Sequence, residues 1–206
     1  MGGTEGGRVL DEAAVAGDPL DQVRRWLADA VAAGVLQPDA MALATATPDG
    51  RPSARMVLVK GVDQRGLVFY TNRDSAKGRE LAANPRAAAI LHWQQLQRQV
   101  RVTGGVERLS EQDSAAYFAT RPRGSQLAAW ASHQSQVVAS RGALEDRFAE
   151  MEQRFTGEEV PLPPWWGGYR LEAEVVECWQ GRPNRLHDRL RWTRQGATWR
   201  LERLAP

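Results

Sequence analysis

The chain has 206 residues, 42% of them hydrophobic, with a formal net charge of +2 and a sequence pI near 9.0. That length can bury a sizeable core in one large domain or two small ones. A charge this small excludes a typical nucleic-acid binder, which gathers basic residues on one face.

Cys178 is the single cysteine, which excludes an internal disulfide and a multi-cysteine metal site and predicts a reducing, cytoplasmic setting. No run of about 18 apolar residues is available to cross a bilayer. The opening "MGGTEGGRVLDEAAVAGD" has no apolar stretch behind a basic end, so no secretory signal is expected. Residues 1–18 read as a disordered tail and 19–206 as one domain. The basic residues comprise 25 arginines and only two lysines, Lys60 and Lys77, so a retained lysine marks a place suited to a compact ammonium.

In chain order, "PLDQVRRWLADAVAA" (19–33) repeats Leu20, Val23, Leu27, Ala30 and Val31 at helical spacing, with Gly34 suited to its end. A meander follows: "MALATAT", a turn at "PDGRP", "SARMVLVKGV", a turn at "DQRG", then "LVFYTN". Short turns between strands predict antiparallel pairing. "DSAKGRELAANP" predicts a short helix capped by Ser75 and stopped by Asn84-Pro85. "RAAAILHW" and "RQVRVTGGVERL" are further strands, and "SEQDSAAYFATRP" opens with a capping signature at Ser110 and Asp113. Pro122 breaks that helix and starts another through Trp130, and a longer helix covers 141–155. "GEEVPLPPWWGG" is a proline-rich connector. "YRLEAEVVECWQG" reads as one long strand, with two more near 186–194 and 197–203. The sum is a barrel-like, mainly β member of the α+β class.

Phosphate-loop, dinucleotide and hydrolase-elbow motifs are missing, and His92, His133 and His187 lack metal-ligand spacing, so no metal site is expected. Anion sites are better represented. Arg55 and Lys60 are five apart on one predicted strand, hence on opposite faces roughly 16 Å apart, which suits two anions better than one. Ser75 and Lys77 stand at a helix start, where free N–H groups favour a phosphate; an ordinary capped helix is the alternative. Tyr117 and Arg121 are i, i+4 neighbours with Ser125 close behind, a possible phosphate clamp or a solvated helix end. In "RLHDR", strand alternation predicts Arg185, His187 and Arg189 on one face, a cationic row that calls for an anion unless it faces solvent.

Taken together, "RMVLVK" (55–60), "FYTN" and "SAKG" (69–78), "RQVRVTG" (98–104), "YFATRPRGSQLAAWASHQS" (117–135), "VPLPPWWGGYRL" (160–171) and "CWQG…RLHDR…RLAP" resemble the pyridoxamine 5'-phosphate oxidase family over residues 19–206. The resemblance implies an antiparallel FMN-binding split β-barrel with inserted and flanking helices. It implies a homodimer with FMN in clefts between the subunits, acting on a small phosphorylated pyridine. Pyridoxine or pyridoxamine 5'-phosphate would become pyridoxal 5'-phosphate, with hydride passing to the flavin and O2 leaving as H2O2; no nucleic acid or membrane partner is implied.

Carried onto this sequence, the resemblance gives Arg55 and Lys77 to the FMN phosphate. It gives the strand Arg55, Met56, Val57, Leu58, Val59 and Lys60, with Tyr70 and Thr71, to the flavin. Gln99, Gln134, Ser135, Trp179 and Arg189 complete that pocket, some from the second subunit. Lys60, Tyr117, Arg121 and Ser125 would hold the substrate phosphate, while Arg185 and His187 would act as catalytic residues over the pyridine. Two departures stand out: Ala76 replaces a common arginine, and the family's N-terminal Arg-x-x-Tyr segment has no counterpart. A related FMN oxidase of phenazine biosynthesis and a non-catalytic flavin- or pyridoxal-phosphate-binding split barrel are the alternatives.

Overall fold

The computed structural model describes residues 9–206. Helix α1 (Pro19–Ala32) starts at an Asp18 cap whose carboxylate accepts from Leu20 N, and it buries Leu20, Val23, Trp26 and Ala30. Strands β1 (Ala40–Ala46) and β2 (Pro52–Leu58) form the expected hairpin, but the second expected strand is split: β3 (Gly61–Val62) is separate from β2, and it, not β2, pairs with β4 (Gly66–Asn72). Helix α2 (Ala76–Ala83), capped by Ser75, leads to β5 (Arg86–Trp93) and β6 (Arg98–Arg108). Helices α3 (Glu111–Ala119), α4 (Arg123–Ala131) and α5 (Arg141–Arg154) follow, then β7 (Trp166–Glu172), β8 (Val175–Gln180), β9 (Asp188–Gln195) and β10 (Thr198–Arg203).

The strands pair antiparallel in the order β10-β9-β8-β6-β5-β1-β2, and β6 also carries a branch through β7 to β4 and β3. Strand β6 is the hinge of this curl: residues 98–103 pair with β8, while 106–108 pair with β7. Gly104 lies between the two segments, where a Cβ would stand 1.9 Å from the Glu172 carbonyl oxygen, so only glycine permits the close crossing. The same crossing divides the long strand expected over 169–181. Ala173 and Glu174 leave the ladder to bond Arg65 O and Thr103 O at 2.9 and 3.0 Å, so β7 and β8 are separate strands.

The main core lies between α1 and the curled sheet, with Met41, Leu43, Phe69, Trp93, Leu171 and Trp192 sealed from solvent. Each such side chain contributes roughly 1.5–3 kcal/mol on burial. A second cluster, Phe118, Leu127, Phe155, Val160 and Trp166, packs α3 and α4 onto the start of β7. No helix among the described residues is long and apolar enough to cross a membrane.

Of the segment read as a disordered tail, residues 1–8 lie outside the described residues, and the missing Arg-x-x-Tyr segment falls partly there. Residues 9–18 depart from that expectation. Leu10 is 5% exposed and its N–H donates to Asp188 Oδ2 at 3.3 Å. Glu12 pairs with Arg203 at 2.6 Å, and Arg203 also reaches Asp188 at 2.8 Å. An apolar anchor flanked by a carboxylate meets a hydrophobic, arginine-bearing sheet end, and that complementarity orders the segment.

Candidate active site

A cleft of about 920 Å³ opens between β2, β4, the start of α2 and the α3–α4 region. Its walls include Arg55, Met56, Val57, Leu58 and Lys60 from β2 and beyond, and Tyr70 and Thr71 from β4. Lys77, Tyr117, Arg121, Ser125, Gln134 and Ser135 also line it. Lys60 was expected on the same strand as Arg55, facing away from it. Strand β2 ends at Leu58, so alternation does not extend to Lys60, and both residues line this one cleft. Val59 is a correction as well: its side chain is in the core and does not line the cleft.

The four cations of the cleft are held in different ways. Arg55 is clamped: Nη1 donates to Leu43 O at 3.2 Å and to Thr45 Oγ1, and Nη2 to Ser53 Oγ and Glu80 Oε2 at 3.2 Å. Of its five N–H groups only Nε–H is left for a ligand while that clamp holds. Lys60 pairs with Asp39 at 2.7 Å. Lys77 Nζ has neutral partners only, Gln134 Oε1 at 2.8 Å, Thr71 Oγ1 at 3.1 Å and Ser75 Oγ at 3.3 Å. Burial, reinforced by the nearby Arg55 charge and opposed by Glu80, pulls its ammonium from 10.5 down to about 8.

Among the described residues Arg121 has no carboxylate partner; burial pushes its ionisation downward and Nη1 is buried without a hydrogen-bond partner. Beside it Tyr70 and Tyr117 stack at 3.9 Å, with Trp166 parallel to both. A buried and a half-buried cation, both poorly compensated, next to a stack of flat rings form a receptor for aromatic anions.

The other expected residues sit elsewhere. Gln99, Trp179 and Arg189 face one another across β6, β8 and β9, in register. Arg189 donates to Glu177 at 2.9 Å and to Ala205 O at 2.9 Å. His187 lies 4.6 Å from the Trp179 ring, and its Nδ1 accepts from Arg182 N at 3.0 Å. The expected strand face of Arg185, His187 and Arg189 does not form. Strand β9 begins at Asp188, while Asn184 and Arg185 take left-handed backbone in a 3₁₀ turn, with φ of 59° and 60°. None of Gln99, Trp179, Arg185, His187 and Arg189 lines the cleft. Along the sheet, β8 and β9 are four and five strand spacings from β2, roughly 19 and 24 Å.

Sequence reasoning passed over Glu80 and Trp166. Glu80 accepts from Thr45, Ser53 at 2.7 Å and Arg55, which keep its carboxylate below the ordinary range against the opposing effect of burial. Its i, i+3 relation to Lys77 in "KGRE" was a legible signal. Trp166 was read as part of a connector, but it opens β7 and lines the cleft.

Residues 27–155 match the sequence model of a family described as pyridoxamine 5'-phosphate oxidase. Residues 166–206 match one described as the pyridoxine 5'-phosphate oxidase C-terminal dimerisation region. A pyridoxine/pyridoxamine 5'-phosphate oxidase of Rubrobacter xylanophilus is 60% identical over 92% of this chain and 87% of that protein. The enzyme so named from Burkholderia lata is 53% identical over 96% of this chain and 93% of its own length. Among solved structures, PhzG from Burkholderia lata, crystallised with tetrahydrophenazine-1-carboxylic acid, superposes with a TM-score of 0.92. That match is at 36% identity and covers 98% of this chain and all of PhzG. With both sequence models matched in order and the curled antiparallel sheet that PhzG shares, this chain belongs to the pyridoxamine 5'-phosphate oxidase family.

Proposed function

We propose that the chain is an FMN-dependent oxidase converting pyridoxine or pyridoxamine 5'-phosphate to pyridoxal 5'-phosphate, with O2 as acceptor and H2O2 as product. The observation that carries this reading is the pair Lys77 and Arg121. Lys77 is buried and Arg121 half-buried, and among the described residues neither has a carboxylate partner, in one aromatic-walled cleft of about 920 Å³. Desolvated positive charge of this kind is stabilised by phosphate oxygens, and two such points fit two phosphorylated molecules.

FMN fits the half of the cleft built on α2. Lys77 and the Arg55 Nε–H would hold its phosphate, and Tyr70, Thr71 and β2 would flank its ring. Ala76 lines the cleft and its side chain adds no donor, so the side-chain contacts to the phosphate would rest on those two residues. Bound there, FMN would supply the hydride acceptor. Arg121, Tyr117, Ser125 and Lys60 would bind the substrate phosphate, Lys60 exchanging Asp39 for it.

Arg185, His187, Gln99, Trp179 and Arg189 would reach the cleft from a second copy in a homodimer, consistent with the matched dimerisation region. Because His187 Nδ1 accepts a backbone N–H, its neutral ring carries the proton on Nε2. His187 therefore serves as a hydrogen-bond donor over the substrate, and proton removal falls to water.

Similarity to PhzG makes a phenazine-type substrate the second reading. Two Burkholderia lata proteins bear on the choice: identity is 53% to the pyridoxine/pyridoxamine 5'-phosphate oxidase and 36% to PhzG. The test is to add FMN and pyridoxine 5'-phosphate to purified protein and follow peroxide and pyridoxal 5'-phosphate together. Both products are expected in equal amounts. Peroxide only with a reduced phenazine carboxylate would favour the second reading, and binding without turnover a carrier.

A further inference from the structure

Arg121 differs from the other cleft cations in what holds it. Arg55 and Lys60 face Glu80 at 3.2 Å and Asp39 at 2.7 Å, and Lys77 sits among three oxygen acceptors. The Arg121 guanidinium instead lies against rings, with Cζ 4.9 Å from the Trp166 ring and 5.5 Å from the Phe118 ring. Its backbone is tied just past the end of α3, where Arg121 N donates to Phe118 O at 3.1 Å.

Trp166 is itself immobilised. It is 6% exposed, its backbone N–H donates to Pro163 O at 3.0 Å, and it pairs with Asn72 of β4. Its ring stacks on Tyr70 at 5.4 Å and meets Phe118 edge-on at 5.1 Å. A carboxylate here would offset the desolvation of Arg121 but would compete with any incoming phosphate. An indole face attracts the cation without offering an oxygen that a ligand must displace.

We propose that Trp166 is a positioning residue for phosphate recognition: its ring holds Arg121 in place of a carboxylate, leaving the guanidinium charge uncompensated at the cleft for a phosphate ester. This rests on the reading that the cleft takes a phosphorylated pyridine. Phosphate selectivity then depends on a side chain that need not touch the phosphate. Trp166 reaches this position because the "PPWW" connector delivers it to the first position of β7, opposite β4.

The experiment compares FMN-loaded wild type, Trp166→Phe and Trp166→Leu. Equilibrium affinities are measured for pyridoxal 5'-phosphate and for phosphate-free pyridoxal, alongside KM and kcat for pyridoxine 5'-phosphate. Trp166→Leu is expected to weaken pyridoxal 5'-phosphate about tenfold to thirtyfold relative to pyridoxal, with KM rising by more than kcat falls. Trp166→Phe, which keeps a smaller ring, should recover much of that loss, and it carries the comparison should the leucine variant fail to fold.

Equal weakening of both ligands, or identical behaviour of the two variants, overturns the proposal. Wild type that binds pyridoxal 5'-phosphate but never turns over pyridoxine 5'-phosphate sinks the oxidase reading alone, and the affinity ratio still judges Trp166. Wild type that binds no phosphorylated pyridine sinks both.

Discussion

If Lys77 holds the FMN phosphate as proposed, it makes that half of the cleft sensitive to pH in a direction that can be worked out. Its side chain is 7% exposed, and its ammonium titrates at about 8 where 10.5 is ordinary. In the empty cleft about 90% of the chains carry the charge at pH 7 and only about 10% at pH 9. A phosphate dianion beside Nζ favours the charged form, so FMN binding above pH 8 takes up a proton and weakens as pH rises. The expected loss of affinity between pH 7 and pH 9 is about tenfold.

Titrating apoprotein with FMN and following flavin fluorescence at pH 7, 8 and 9 measures it. Lys77→Arg cannot deprotonate in that range and should flatten the slope. Equal affinity at pH 7 and 9 in the wild type, or an unchanged slope in the arginine variant, would refute the assignment. Folding stability moves the other way. The folded pKa lies below the unfolded one, so the burial penalty is complete below pH 8. It is relieved as pH rises from about 8 toward 10.5, by at most about 3 kcal/mol.

Two further predictions concern the scaffold. Gly104→Ala forces a Cβ to within 1.9 Å of Glu172 O at the turn of β6, and a backbone shift there should destabilise by about 3 kcal/mol or more. A thermal midpoint within a few degrees of wild type would mean that the crossing is slacker than described. Leu10→Ala should lower stability in urea by about 2–3 kcal/mol, because Leu10 belongs to the main core; an unmoved midpoint would show that residues 9–18 contribute nothing.

Much of the fold was legible in the sequence because local signals agreed with it. Ser75, Ser110 and Pro122 mark helix starts, and Asp-Gly and Gln-Arg-Gly turns separate strands that pair as neighbours. The division at Ala173 was not legible, since it depends on Gly104 approaching from a strand 69 residues earlier. Alternation misjudged Lys60 and Arg185 for a related reason: it holds only inside a strand, and both lie just beyond one. At the cleft, single residues such as Lys77 and Tyr117 were visible as types, but their compensation was not. That Glu80 neutralises Arg55 while the Arg121 guanidinium lies against the Trp166 and Phe118 rings is a property of tertiary packing, which a residue list does not contain.

The distance along the sheet between the cleft and the Trp179–Arg189 face has a genetic consequence. If each working site draws one half from each of two chains, a copy damaged at Arg121 and a copy damaged at Arg185 can rescue one another. In a mixed pair one site collects both lesions and the other collects neither, so two inactive alleles expressed together would restore part of the activity that each lacks alone.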